Sequence, residues 1–152
     1  VLNYSNDQFF LNRPLIRELG LDLGAMQRRI QAIALDYDGV FTAVTGMDLI
    51  SGNASNDEVL ERLQNGWSAS ASGDVMIVPK PGWIQYSRSG TTHGSPFAYD
   101  THVPLLFYGW HVPEGITYER TYIRDIAPTV AALIHSPMPN ATSGRPIEDL
   151  FD

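Results

Sequence analysis

The sequence predicts an α/β fold: a small βαβαβ subdomain over residues 1–86, followed by a second α/β portion over 87–152. Three observations predict it. Between residues 8 and 79, runs of strand-forming residues alternate with segments of helical period. A loop rich in Ser, Gly and Thr follows over 86–96. The run 103–108 is then apolar without alternation, the pattern of a strand buried on both faces.

The elements follow in order. Residues 8–12 read as a short strand, and Arg13-Pro14 opens a turn into a short helix that Gly20 stops. Asp22 is placed to cap the next helix. Its apolar stripe is Leu23, Met26, Ile30, Ile33 and Ala34, with Gln27, Arg28, Arg29 and Gln31 on the opposite face. Residues 40–45 are strand-forming types throughout. Ser55 or Asn56 caps a further helix whose apolar face is Val59, Leu60 and Leu63, ended by Gly66. Val75-Met76-Ile77-Val78 is the third strand of the subdomain. Beyond the loop and the 103–108 strand, Asp125 caps a helix with Pro128 in its first turn, where proline is tolerated. Ile126, Val130, Leu133 and Ile134 form the stripe expected to be buried, and Pro137 and Pro139 end the helix. The tail from Asn140 is mostly loop, with Leu150-Phe151 as a terminal anchor.

The 152 residues carry a net charge of −7. A binder of the nucleic-acid backbone needs a basic face, so no nucleic-acid partner is expected. Phosphate-handling chemistry stays open, because bound metal ions supply positive charge that a residue count omits. Cysteine is absent, so any zinc must be held by imidazoles and carboxylates, the donor set of catalytic more than structural sites. No apolar run approaches the ~20 residues of a membrane span. No signal peptide opens the chain, and Val1 in place of Met reads as a chain that began elsewhere. Asn3, Asn53 and Asn140 begin Asn-x-Ser/Thr triplets, a pattern that chance produces often.

Two motifs bear on chemistry. The first is Ala32-Ile33-Ala34-Leu35-Asp36-Tyr37-Asp38-Gly39, which looks like the nucleophile signature of haloacid dehalogenase-type phosphatases. There Asp36 would attack phosphorus and Asp38 would act as acid/base. That chemistry needs the first aspartate at the tip of a buried strand. Here helical period runs up to the motif, which favours a helix end followed by a turn.

The second motif is His93, between Thr92 and Gly94. Glycine beside a ligand lets the backbone come close to a metal, and a neutral imidazole nitrogen suits zinc. On spacing alone a histidine in a Gly/Ser loop is more often simply solvated. A strand following the loop favours the ligand, because loops at strand ends gather the chemistry of α/β proteins. Asp100 and His102 are a second ligand pair, groups that orient His93, or simply loop-fixing residues. His111 and His135 are not assigned to a site.

Gly90-Thr91-Thr92-His93-Gly94-Ser95-Pro96, Tyr99-Asp100-Thr101-His102-Val103-Pro104-Leu105-Leu106-Phe107-Tyr108-Gly109 and Asp125-Ile126-Ala127-Pro128-Thr129 resemble one family. It is the phosphate-insensitive, periplasmic-type alkaline phosphatases of the alkaline phosphatase and nucleotide pyrophosphatase superfamily. The likeness continues through Gly144-Arg145-Pro146-Ile147, and residues before 90 match more loosely an inserted region of that family. The resemblance implies a fold: the C-terminal part of an alkaline-phosphatase-like core preceded by the inserted subdomain. It implies a hydrolase that cleaves phosphate monoesters with a zinc pair through a covalent phospho-enzyme, in the periplasm or secreted. It also implies that His93 is the last ligand of one zinc, and that the nucleophile and the other ligands belong to an N-terminal remainder of the same enzyme. No catalytic residue is then expected in these residues. A phosphodiesterase or sulfatase of the same superfamily, or a non-catalytic binding or structural domain, remain alternatives.

Overall fold

In the computed structural model, residues 1–52, 57–84 and 90–151 are described. Contacts divide the chain into two units, 1–103 and 104–152. The boundary expected at 86/87, like the cap residues Ser55 and Asn56 and the triplet at Asn53, lies outside the described residues.

Asn6 and Asp7 both have positive φ, 49° and 55°, the geometry of a two-residue type I′ turn. The turn joins β1 (Asn3–Ser5) to β2 (Gln8–Phe10) as an antiparallel hairpin with Ser5 opposite Gln8. Strand β1 is an addition to the expected order. Asn12 accepts the Leu15 N–H and starts α1 (Arg13–Glu18), with proline in its first turn. Asp22 accepts the Ala25 N–H at 2.6 Å and starts α2 (Leu23–Leu35). β3 (Val40–Thr45) then leads into α3 (Gly46–Ser51), a helix not expected from the sequence. Thr45 and Asp48 close a reciprocal capping box at its start. Asp57, rather than Ser55 or Asn56, caps α4 (Glu58–Gly66), accepting from the Val59 and Leu60 N–H groups. β4 (Val75–Pro79) completes a four-stranded sheet of order β1-β2-β4-β3, antiparallel throughout.

The core of this unit lies where α2 covers β3 and β4. Ala34, Ala43 and Val75 are buried, with Phe9, Ile30 and Ile77 packed against them. The face of α2 differs from the expected stripe. Gln27 is 3% exposed and turns inward, whereas Ile33 is 45% exposed. Gln31 also bonds the sheet, donating to the Ala43 carbonyl at 2.7 Å. Positions 24, 27, 31 and 34 share one helical face. The two amides are satisfied there, so the helix turns that face inward.

In the second unit, a 3-10 turn (Ile123–Asp125) leads into α6 (Ile126–Leu133). The expected buried stripe is corrected here too: Val130 and Ile134 are 41% and 66% exposed, while Pro128, Thr129 and Ala131 are buried. The face is set by a polar clasp. Thr129 donates to the Asp125 carbonyl (2.5 Å) and accepts the Ile147 N–H (3.0 Å). Asp125 does not cap α6 with its side chain; its carboxylate accepts the Tyr122 and Arg145 N–H groups at 2.8 and 3.0 Å. A 3-10 turn (Glu148–Leu150) follows, and Phe151 is 46% exposed.

The expected strand 103–108 is not formed. Val103, Leu106 and Tyr108 are 66%, 84% and 103% exposed. A strand buried on both faces needs a neighbour on each edge, and among the described residues none pairs with it.

Candidate metal centre

His93 lies on an irregular segment, 90–95, that ends at a four-residue helical turn, α5 (Ala98–Thr101). Gly94 has φ +106°, a backbone conformation that side-chain-bearing residues rarely adopt. The next turn is closed by Asp100, whose Oδ2 accepts the Ser95 N–H at 2.8 Å. This N–H is the first reason that the Asp100 carboxyl lies below the usual carboxylate range. The nearby Ser95 hydroxyl, the Gly94 N–H and the charge of a protonated His93 pull the same way. The Ser95 hydroxyl is buried and adopts no hydrogen-bond geometry with any partner among the described residues, so its effect on Asp100 is one of proximity.

Three contacts fasten the loop to the α/β unit. An Arg62 guanidinium N–H on α4 donates to the Pro96 carbonyl, while its other terminal N–H groups reach Glu58 at 2.8 Å. Phe97 meets Phe41 of β3 edge-on, with ring centroids 5.4 Å apart. The Tyr99 hydroxyl accepts the Gly82 N–H at 3.2 Å. Arg62, Phe41, Phe97 and Tyr99 were not singled out by sequence reasoning. Each acts on a partner distant in sequence, and no local pattern signals that.

The His93 ring is exposed and makes no hydrogen bond among the described residues. It therefore fits the role of one metal ligand. Among the described residues no three His, Asp or Glu side chains gather to hold a metal ion, so the described residues by themselves do not supply a complete site. Asp100 belongs to the turn beside His93. His102 is exposed at the end of α5, where its N–H bonds the Ala98 carbonyl. His111, at φ 59°, packs edge-on against Trp110 in the second unit. His135, at φ 53°, follows α6.

Asp36 and Asp38 are both exposed, and Asp36 is the C-terminal cap of α2. A dehalogenase-type nucleophile needs a strand end at that position, and the structure has a helix end there.

No family model matches the chain. Curated proteins do. The chain is 35% identical over 148 residues to alkaline phosphatase PhoV of Synechococcus elongatus, a match covering 96% of the chain and 26% of that protein. It is 31% identical over 147 residues to alkaline phosphatase PafA of Elizabethkingia meningoseptica, covering 96% and 27%. A Myroides odoratus protein named a calcium-transporting ATPase is 31% identical over 154 residues, covering all of the chain and 28% of that protein. The fold of wild-type PafA superposes with a TM-score of 0.89 at 28% identity, over 99% of the chain and 29% of that structure.

The chain belongs to the alkaline phosphatase superfamily. Within it, the α/β unit and the segments after it match a portion of the PhoV and PafA phosphatases, and the chain spans about a quarter of the length of those relatives.

Proposed function

We propose that this chain is the portion of a zinc-dependent alkaline phosphatase that contributes one imidazole ligand, His93, to a metal centre completed by residues outside it. In this reading residues 1–86 are the inserted α/β subdomain and 87–152 the last part of the catalytic core. The reaction is hydrolysis of phosphate monoesters through a covalent phospho-enzyme, whose nucleophile is not in this chain, and the enzyme works in the periplasm or outside the cell. The observation that carries the reading is an exposed imidazole that bonds no partner among the described residues, on a segment held at three points, within a chain 35% identical to a named alkaline phosphatase.

The chain's own residues have limited tasks. His93 in its neutral form offers a lone pair. Gly94, at φ +106°, gives the turn a backbone conformation that side-chain-bearing residues rarely adopt, and Asp100 holds the turn through Ser95. When bound, zinc supplies Lewis-acid charge near the phosphoryl and leaving oxygens. No helix among the described residues is long and apolar enough to cross a membrane.

The test is hydrolysis of p-nitrophenyl phosphate by the full-length protein. Wild type is expected to be active, to lose activity to a chelator and to recover with zinc. Chelator-resistant activity contradicts the metal dependence. Absence of activity with zinc present favours a binding domain.

A further inference from the structure

Resting on the assignment of His93 as a ligand, we propose that Arg62 on α4 is a positioning residue for the His93 loop, so that the α/β unit tunes metal binding by the catalytic core.

His93 is followed by a turn that Asp100 closes on the Ser95 N–H, and the next carbonyl, Pro96, accepts from Arg62. Proline lacks an N–H, so this point of the loop cannot be tied down through a backbone donor. Arg62 is itself oriented, because its guanidinium also reaches Glu58 one helical turn back at 2.8 Å. A planar guanidinium holding a carboxylate and a carbonyl together sets a direction as well as a distance, which a lysine ammonium does not. Phe97, the next residue, is seated against Phe41 of β3. The ring of His93 thus hangs from an anchor whose other end is the α/β unit. Groups that orient a metal ligand without touching the ion commonly change affinity by about 10–100-fold. Arg62 acts on the main chain three residues from the ligand and not on the ligand itself, so an effect at the lower end, about tenfold, is expected.

The experiment uses three variants, Arg62→Ala, Arg62→Lys and His93→Ala. Backbone order at residues 93–95 and 97 is measured by nitrogen relaxation in the 152-residue chain, and hydrogen-exchange protection of the β3 and β4 amides is the control for folding. Zinc affinity is measured in the full-length protein. Arg62→Ala is expected to loosen residues 93–97, leave the sheet amides protected and weaken zinc about tenfold. Arg62→Lys is expected to restore part of both. Unchanged order at 93–97 and unchanged affinity in Arg62→Ala overturn the positioning role. Loss of sheet protection overturns it as well, since Arg62 would then act on the fold. Equal zinc affinity in wild type and His93→Ala overturns the ligand assignment instead, and loop order in Arg62→Ala still decides whether Arg62 anchors the segment.

Discussion

The Gln27 amide donates to Oδ1 of Asp74 at 3.1 Å, although the two residues stand 47 positions apart. Asp74 is 2% exposed and also accepts the Leu11 N–H and Arg13 Nε, each at 2.8 Å. The carbonyl oxygen of Gln27 accepts the Met47 N–H at 3.2 Å. One carboxylate and one amide therefore tie the end of β2, α1, α2, α3 and the start of β4 to a single point. Asp74→Ala strands two buried donors, the Leu11 N–H and the Gln27 amide, besides releasing Arg13, and is expected to cost about 3 kcal/mol in urea unfolding. Arg13 is 40% exposed, so most of that loss comes from the buried amide donors. A cost below about 1 kcal/mol contradicts this role for Asp74.

Gly144 lies against the Arg124 backbone, and a Cβ there would collide with the Arg124 carbonyl. The obstacle is main chain, which does not swing aside as a side chain does. Gly144→Ala is expected to push the 144–147 loop off α6, break the Arg145-to-Asp125 and Ile147-to-Thr129 bonds and destabilise the second unit by about 1–3 kcal/mol. Hydrogen exchange at Ile147 checks it: faster exchange is expected, and wild-type protection contradicts the packing argument.

The Tyr4 phenol is pushed up to about 12 from its ordinary 10.0, first by burial, then by its hydrogen bond to Asp7 and by the Asp7 charge. A phenol raised on folding stabilises the fold fully below the unfolded value, about 10, and that contribution fades as pH climbs toward the folded one. The hairpin β1–β2 is therefore expected to hold through pH about 10 and to weaken above it. Subtracting the tyrosinate absorbance titration of Tyr4→Phe from that of wild type isolates this group. A midpoint near 12 is expected; a midpoint at the ordinary phenol value contradicts the burial of Tyr4.

What was legible in the sequence was local. The Asp22 cap, the stop at Gly20, and the strands at 40–45 and 75–78 depend on neighbours a few residues away, and the structure has all of them, the last extended to Pro79. Thr45 with Asp48 was an equally local signal for α3 and went unread. The inward turn of Gln27 was not legible, because polarity predicts exposure unless the partner is known, and Asp74 is remote in sequence. The same holds for Thr129, whose loop partner Ile147 decides which face of α6 is buried. Residues 103–108 show the converse. Their composition suits a central strand, but sheet pairing is non-local, and among the described residues no strand pairs with them. At the candidate site, the irregular backbone around His93 was legible through Gly90 and Gly94. Arg62, which acts on the turn from another helix, was not.

The measurement that bears most directly on the role of this chain is the zinc content of the full-length protein, wild type against His93→Ala, after exhaustive dialysis. The account expects the variant to retain clearly less zinc than wild type and to lose p-nitrophenyl phosphate hydrolysis with it. The same zinc content in both proteins would contradict it.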